Sequence, residues 1–176
     1  MPNHVRNILK FSKLKPKDRE FILNNFTTEV EEDFYPLNRC FDFDKIIPEP
    51  KTEEECPEDC KVNKDSRVAK DTERPWFDWY TWRNKYWGTK WGAYNGYVRI
   101  GTSTITFVFS TAWSAPFPIY EQLHEAGYQF TVRFADEDIG SNCGIIECNP
   151  KEGEYHEILC RSVANPYRFA RQVWKN

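Results

Sequence analysis

Residues 74–94 read RPWFDWYTWRNKYWGTKWGAY, and the five tryptophans in this stretch constrain the fold more than any other feature of the chain. At about 100° per residue, a helix over residues 76–87 brings Trp76, Tyr80, Arg83 and Trp87 together. Trp79 and Tyr86 then flank them on one side and Phe77 on the other, with Trp82 further round. The rings span an arc of about 220°, whereas a surface helix needs an apolar stripe of only about 100°. Such a helix is either covered on two sides or leaves indoles in water as a recognition surface. In the first case the rings are core and their N–H groups find local acceptors. In the second, Trp82, Trp87 and Trp91 line a groove for flat ligands, with Lys85, Lys90 and Arg99 close enough to meet phosphates. Trp113, at the end of a later strand, joins this candidate binding set. Gly88 suits the position just past the last helical turn, which places Trp91 on a loop.

Around this segment the chain alternates between strand and helix patterns. Val5, Leu9 and Phe11 oppose His4, Arg6 and Lys10 in a half-buried strand. Pro16 and Asp18 open a helix over residues 16–25. CFDFDKIIPEP alternates Phe41 and Phe43 against Asp42 and Asp44 and reads as a second strand. Residues 49–73 carry no aromatic and read as a solvated polar insertion. TSTITFVFSTAW is a strand, PFPIYEQLHEAG a helix stopped by Gly127, and QFTVRFA a further strand. NCGIIEC and YHEILC form a hairpin across NPKEGE, and Asn165 with Pro166 opens a C-terminal helix. Strand, helix, strand, strand, helix, strand is the split βαβ, or ferredoxin-like, plan. The expected fold is therefore α+β: one domain over residues 1–176, an antiparallel sheet with its two helices on one face, an added C-terminal hairpin, and a Trp-rich helix and loop inserted at about 75–94. The plan describes a chain path and implies no iron-sulfur cluster, for which the cysteine spacing is wrong.

The net charge of −3 withholds the global basic field that makes a protein coat any phosphate polymer. No segment approaches the ~20 apolar residues of a membrane span, and no export-type apolar run is present, so no membrane partner and a cytoplasmic location are expected. In that compartment the six cysteines stay reduced. Cys56, Cys60, His156 and Cys160 could in arithmetic make a zinc site, although zinc knuckles usually repeat a two-residue spacing that is absent here. No cofactor motif is present.

Catalysis has one candidate cluster, Asp136, Glu137 and Asp138 leading into Ser141 and Asn142. Its oxygens could hold magnesium or calcium, or it could be an acidic turn between strands. His4, His124 and His156 are scattered and stand in no nucleophile motif. If Phe107 and Phe130 face the helices, the opposite sheet face shows Arg6, Lys10, Thr106, Thr131 and Arg133, basic but bare of rings. RNA-reading sheets place aromatics there, which leaves the tryptophan rim as the stacking platform.

MPNHVRNILKFS, FDFDKIIPEP, WGTKWGAY, TAWSAPFPI and FADEDIGSNCG occur in an order and spacing that resembles the Api92-like proteins, over residues 1 to about 160. The resemblance implies a ferredoxin-like domain and a link to bacteria, their plasmids and their phages, and it supplies no activity. The expectation is a non-enzymatic module that binds a host or phage protein. Single-stranded nucleic-acid binding through the rim is the alternative, and a small metal-dependent enzyme using the acidic cluster a further one.

Overall fold

The computed structural model of the chain describes residues 3–29, 39–62, 73–159 and 162–175. In chain order the elements are β1 (His4–Phe11), α1 (Pro16–Phe26), β2 (Thr27–Glu29), β3 (Arg39–Phe41), α2 (Trp79–Tyr86), β4 (Tyr94–Ile100), β5 (Ile105–Ala112), α3 (Phe117–Glu125), β6 (Phe130–Asp136), β7 (Cys143–Asn149), β8 (Glu154–Leu159) and α4 (Pro166–Trp174). Six strands form one antiparallel sheet in the order β4-β5-β1-β6-β7-β8. The path β1-α1-β4-β5-α3-β6 is the ferredoxin-like plan, extended by the β7-β8 hairpin.

Period-two alternation works as expected in β1, where Val5, Leu9 and Phe11 are fully buried and Lys10 is exposed. Asn7 shares the buried face, and its polar groups are satisfied: the Tyr120 hydroxyl donates to Oδ1 at 3.0 Å and Nδ2 donates to Thr111 Oγ1 at 2.9 Å. α1 adds Ile22 and Phe26 to the same core, and α3 adds Ile119, Tyr120 and Leu123.

Three expectations need correction. CFDFD is not the second strand of the plan. Only Arg39–Phe41 is extended, paired with β2 in a two-stranded ribbon, and a 3-10 turn follows at Phe43–Lys45, with Asp42 Oδ1 accepting from the Asp44 amide at 3.0 Å. Phe41 and Phe43 are both buried against Phe109, so the apolar signal was sound and its period was not. β4 takes the second-strand place instead.

The two helices of the plan, α1 and α3, share one face of the sheet as expected. α4 lies on the opposite face, where Phe169, Ala170 and Val173 pack with Ile8, Ala135, Cys143 and Ile145. The insertion is also not a solvated excursion throughout. Within its described part, Cys56 and Cys60 are buried, and Glu49 accepts from Arg74 at 2.8 Å and Arg83 at 2.5 Å. The remainder, residues 63–72, lies outside the described residues. Lastly, Cys143 is disulfide-bonded, so the thiols are not all reduced.

Among the described residues no helix is long and apolar enough to cross a membrane.

Candidate functional site

The tryptophan segment divides in two. α2 begins at Trp79, not Trp76, because Asp78 caps it: Oδ1 accepts from the Thr81 amide at 3.0 Å. Trp82 and Trp87 are only 3% and 5% exposed. Trp87 packs edge-on to Phe43 at 5.8 Å and donates its indole N–H to the Ile47 carbonyl at 2.9 Å; Trp82 stacks on Tyr86 at 5.0 Å. The core and the loop before α2 cover the helix from two sides: Trp87 is enclosed, and Trp82 shows only an edge, beside Tyr86, to a cleft of about 500 Å³ walled by Ile47, Pro48 and Glu49. Lys85 is bound up with Asp59, its Nζ 2.6 Å from Oδ2.

The outward rings collect elsewhere. Trp113 is 42% exposed and Tyr80 is 38% exposed, their rings edge-on at 6.3 Å. The Lys90 ammonium lies 4.8 Å from the Trp91 ring and 5.4 Å from the Trp113 ring, so a single cation serves two indoles. Trp91 meets Tyr94 at 6.0 Å, and the Tyr94 hydroxyl is 2.6 Å from His4 Nδ1. Burial and the Glu137 charge push the Tyr94 phenol up to about 12, so it stays protonated.

The rim is held from below. Thr89 is buried and bonds both the carbonyl and the amide of Ala112, at 2.7 and 3.1 Å, which ties the Lys90 loop to the end of β5. Trp113 itself has φ +68°, a left-handed conformation that costs a bulky residue roughly 1–2 kcal/mol. Its amide donates to the Asn3 carbonyl at 2.9 Å and its carbonyl accepts from Asn142 Nδ2 at 2.9 Å.

The acidic cluster turns out to be the frame of this corner. Asp136 accepts from Asn3 Nδ2, Asn142 Nδ2 and the Asp138 amide; Glu137 accepts from the His4 amide; Asp138 accepts from Ser141. These bonds fix a turn. Among the described residues no group of three or more His, Cys, Asp or Glu side chains is placed to hold a metal ion. Cys56 and Cys60 sit beside α2 while His156 is on the far edge strand β8, and Cys160 lies outside the described residues. Burial pushes the Cys60 and Cys148 thiols up to about 11, away from thiolate chemistry, and Cys148 rests against His124 Nδ1 at 3.1 Å.

The second sheet face is not bare of rings. Tyr94 pairs with Ser110 and Tyr97 with Val108, so three steps on β4 answer two on β5. This bulge puts both tyrosines on one side, where strict alternation would oppose them. Asn95 supplies the left-handed residue at φ +47°, and Gly96 is squeezed so closely that a Cβ would sit 2.9 Å from the Val108 carbonyl oxygen. Arg6 donates to the Asn95 carbonyl at 2.7 Å, and Arg99 lies 4.9 Å over the Tyr97 ring and donates to its hydroxyl at 2.6 Å. Tyr94 and Tyr97 escaped the sequence reading, which placed Arg6 on this face and Tyr80 on the helix without making either a binding residue; the Asn95-Gly96 pair inside an aromatic run was the available signal for a bulge.

Sheet order, helix placement and register together define an α+β domain of ferredoxin-like plan carrying an aromatic and basic surface at one end. Residues 86–162 match the family model described as the ferredoxin-like domain in Api92-like protein. No curated protein and no solved structure matches the chain. The matched segment holds β4 to β8 and leaves out β1, the strand that joins β5 to β6.

Proposed function

We propose that the domain is a non-enzymatic module that binds single-stranded nucleic acid, with Trp91, Trp113 and Lys90 as its primary contacts. The observation that carries this reading is the Lys90 ammonium shared by the half-buried Trp91 and the exposed Trp113, 4.8 and 5.4 Å from their rings. Ring faces stack unpaired bases at ~1–3 kcal/mol each, and the cation meets the phosphate between them. The objection that the sheet face offers no ring is removed by Tyr94 and Tyr97. With a net charge of −3 the attraction is local, so binding should be modest and weaken as salt rises. A cytoplasmic setting on phages or plasmids belongs to the same proposal.

The test is fluorescence anisotropy of labelled single-stranded DNA and RNA against the full chain. Trp91→Ala and Trp113→Ala should each weaken binding about 5-fold or more. Failure to bind either polymer would sink the reading.

A protein partner, from host or phage, is the second reading. The exposed Tyr80 and Trp113 pair favours it, because exposed aromatic pairs are what interface hot spots use. A complex lost in Trp113→Ala with no nucleic-acid binding at all would install it.

A further inference from the structure

We infer that the binding site extends from the rim along β4, as a track on which Tyr94 and Tyr97 each stack a base and Arg6 and Arg99 meet the phosphates, giving a footprint of about four unpaired nucleotides. This rests on the single-strand reading and assigns it new residues, its length and its direction.

The bulge is the first support. Because Tyr94 and Tyr97 stand opposite Ser110 and Val108, two residues apart on β5, their positions are about 7 Å apart along the strand. Trp91 continues the row at 6.0 Å from Tyr94, and Lys90 links it to Trp113. From Tyr97 through Tyr94 to Trp91 the positions step by about 6–7 Å, a spacing that a stretched polynucleotide can follow and a stacked one cannot.

Charge is the second support. Cations sit beside the rings in series: Arg99 4.9 Å and Arg6 5.8 Å from the Tyr97 ring, then Lys90 between the two indoles. Alternation of π-face and cation suits a polymer that alternates base and phosphate.

The third support is the wall. α4 covers the β6 and β7 side of this face, with Arg133 4.8 Å over the Phe169 ring and 3.3 Å from Gln172. A ligand crossing the whole sheet would strike α4. The open direction runs along β4, toward the rim.

A duplex fits poorly, since its base faces are already stacked on one another.

Anisotropy with labelled oligo-dT and oligo-rU of two, four, six and eight nucleotides, and with a 12-base-pair duplex, tests the inference on the full chain. Affinity should climb to about four nucleotides and then level off, with the duplex at least 10-fold weaker. The slope of log K against log salt should be about −2, as three cations predict for a single strand. Tyr97→Ala should cost 5-fold or more and shorten the plateau, while Tyr97→Phe, which keeps the ring, should bind like the parent. Thermal melts separate loss of the site from loss of the fold. A footprint of two nucleotides, unaffected by Tyr97→Ala but abolished by Trp113→Ala, overturns the track and leaves the rim reading standing. Duplex binding as tight as single-strand binding overturns the track as well. No binding to any oligonucleotide overturns both readings and returns the surface to a protein partner.

Discussion

Asn142 donates from Nδ2 to the Trp113 carbonyl at 2.9 Å, and both residues hold left-handed backbone, at φ +38° and +68°. Two non-glycine residues in that region, joined to each other, keep a large ring in water at a cost that packing does not repay.

Trp113→Gly should therefore separate stability from binding. Relief of the left-handed strain should leave the domain as stable as the parent or up to about 1 kcal/mol more so, while single-strand affinity falls. Urea unfolding beside anisotropy reads both. Equal loss of both would mean that the indole is structural.

Asn142→Ala removes the donor to Trp113 and to Asp136 together. We expect a loss of about 1–2 kcal/mol in urea unfolding.

The two tryptophan classes should behave oppositely. Trp82→Ala and Trp87→Ala should each cost about 3–5 kcal/mol of stability, as buried large-to-small changes do. Trp91→Ala should cost under about 1 kcal/mol and act on the ligand instead.

Tyr94 makes a prediction for alkaline pH. Its phenol is pushed up to about 12, against an ordinary value near 10. The unfolded chain ionises first, so the contribution of the neutral phenol is complete below pH 10 and is lost as pH rises toward 12. Tyr94→Phe should flatten the fall in stability across that window relative to the parent. Identical profiles for the two proteins would exclude Tyr94 as a source of it.

A fragment of residues 86–176 holds the family-matched segment and lacks β1. It should fail to fold, since β5 and β6 hydrogen-bond to β1 and not to each other. Native-like amide dispersion in its NMR spectrum would contradict this.

Alternation made β1, β5, β6 and the hairpin legible in the sequence, and turn chemistry gave the ends of α3 and α4. β4 was not legible because its bulge breaks the period at Asn95 and Gly96. Phe41 and Phe43 misled for the converse reason: both are buried, but a 3-10 turn delivers the second ring. Lys90, Trp91 and Trp113 were read as candidates and do come together. Trp82 and Trp87 could not be told apart from them, because which indoles are hidden depends on the loop that covers α2, a tertiary fact that helix periodicity does not contain.

Among the described strands β1 comes first in chain order, yet it lies inside the sheet between β5 and β6. Asn7 meets Thr111 and Tyr120 only across more than a hundred residues of chain, and β1 gains its second neighbour only when β6, ending at Asp136, has been made. Contacts of such long range fold slowly. Until β6 emerges, Val5, Leu9 and Phe11 have no finished core to enter, and in that interval the nascent chain is most prone to self-association.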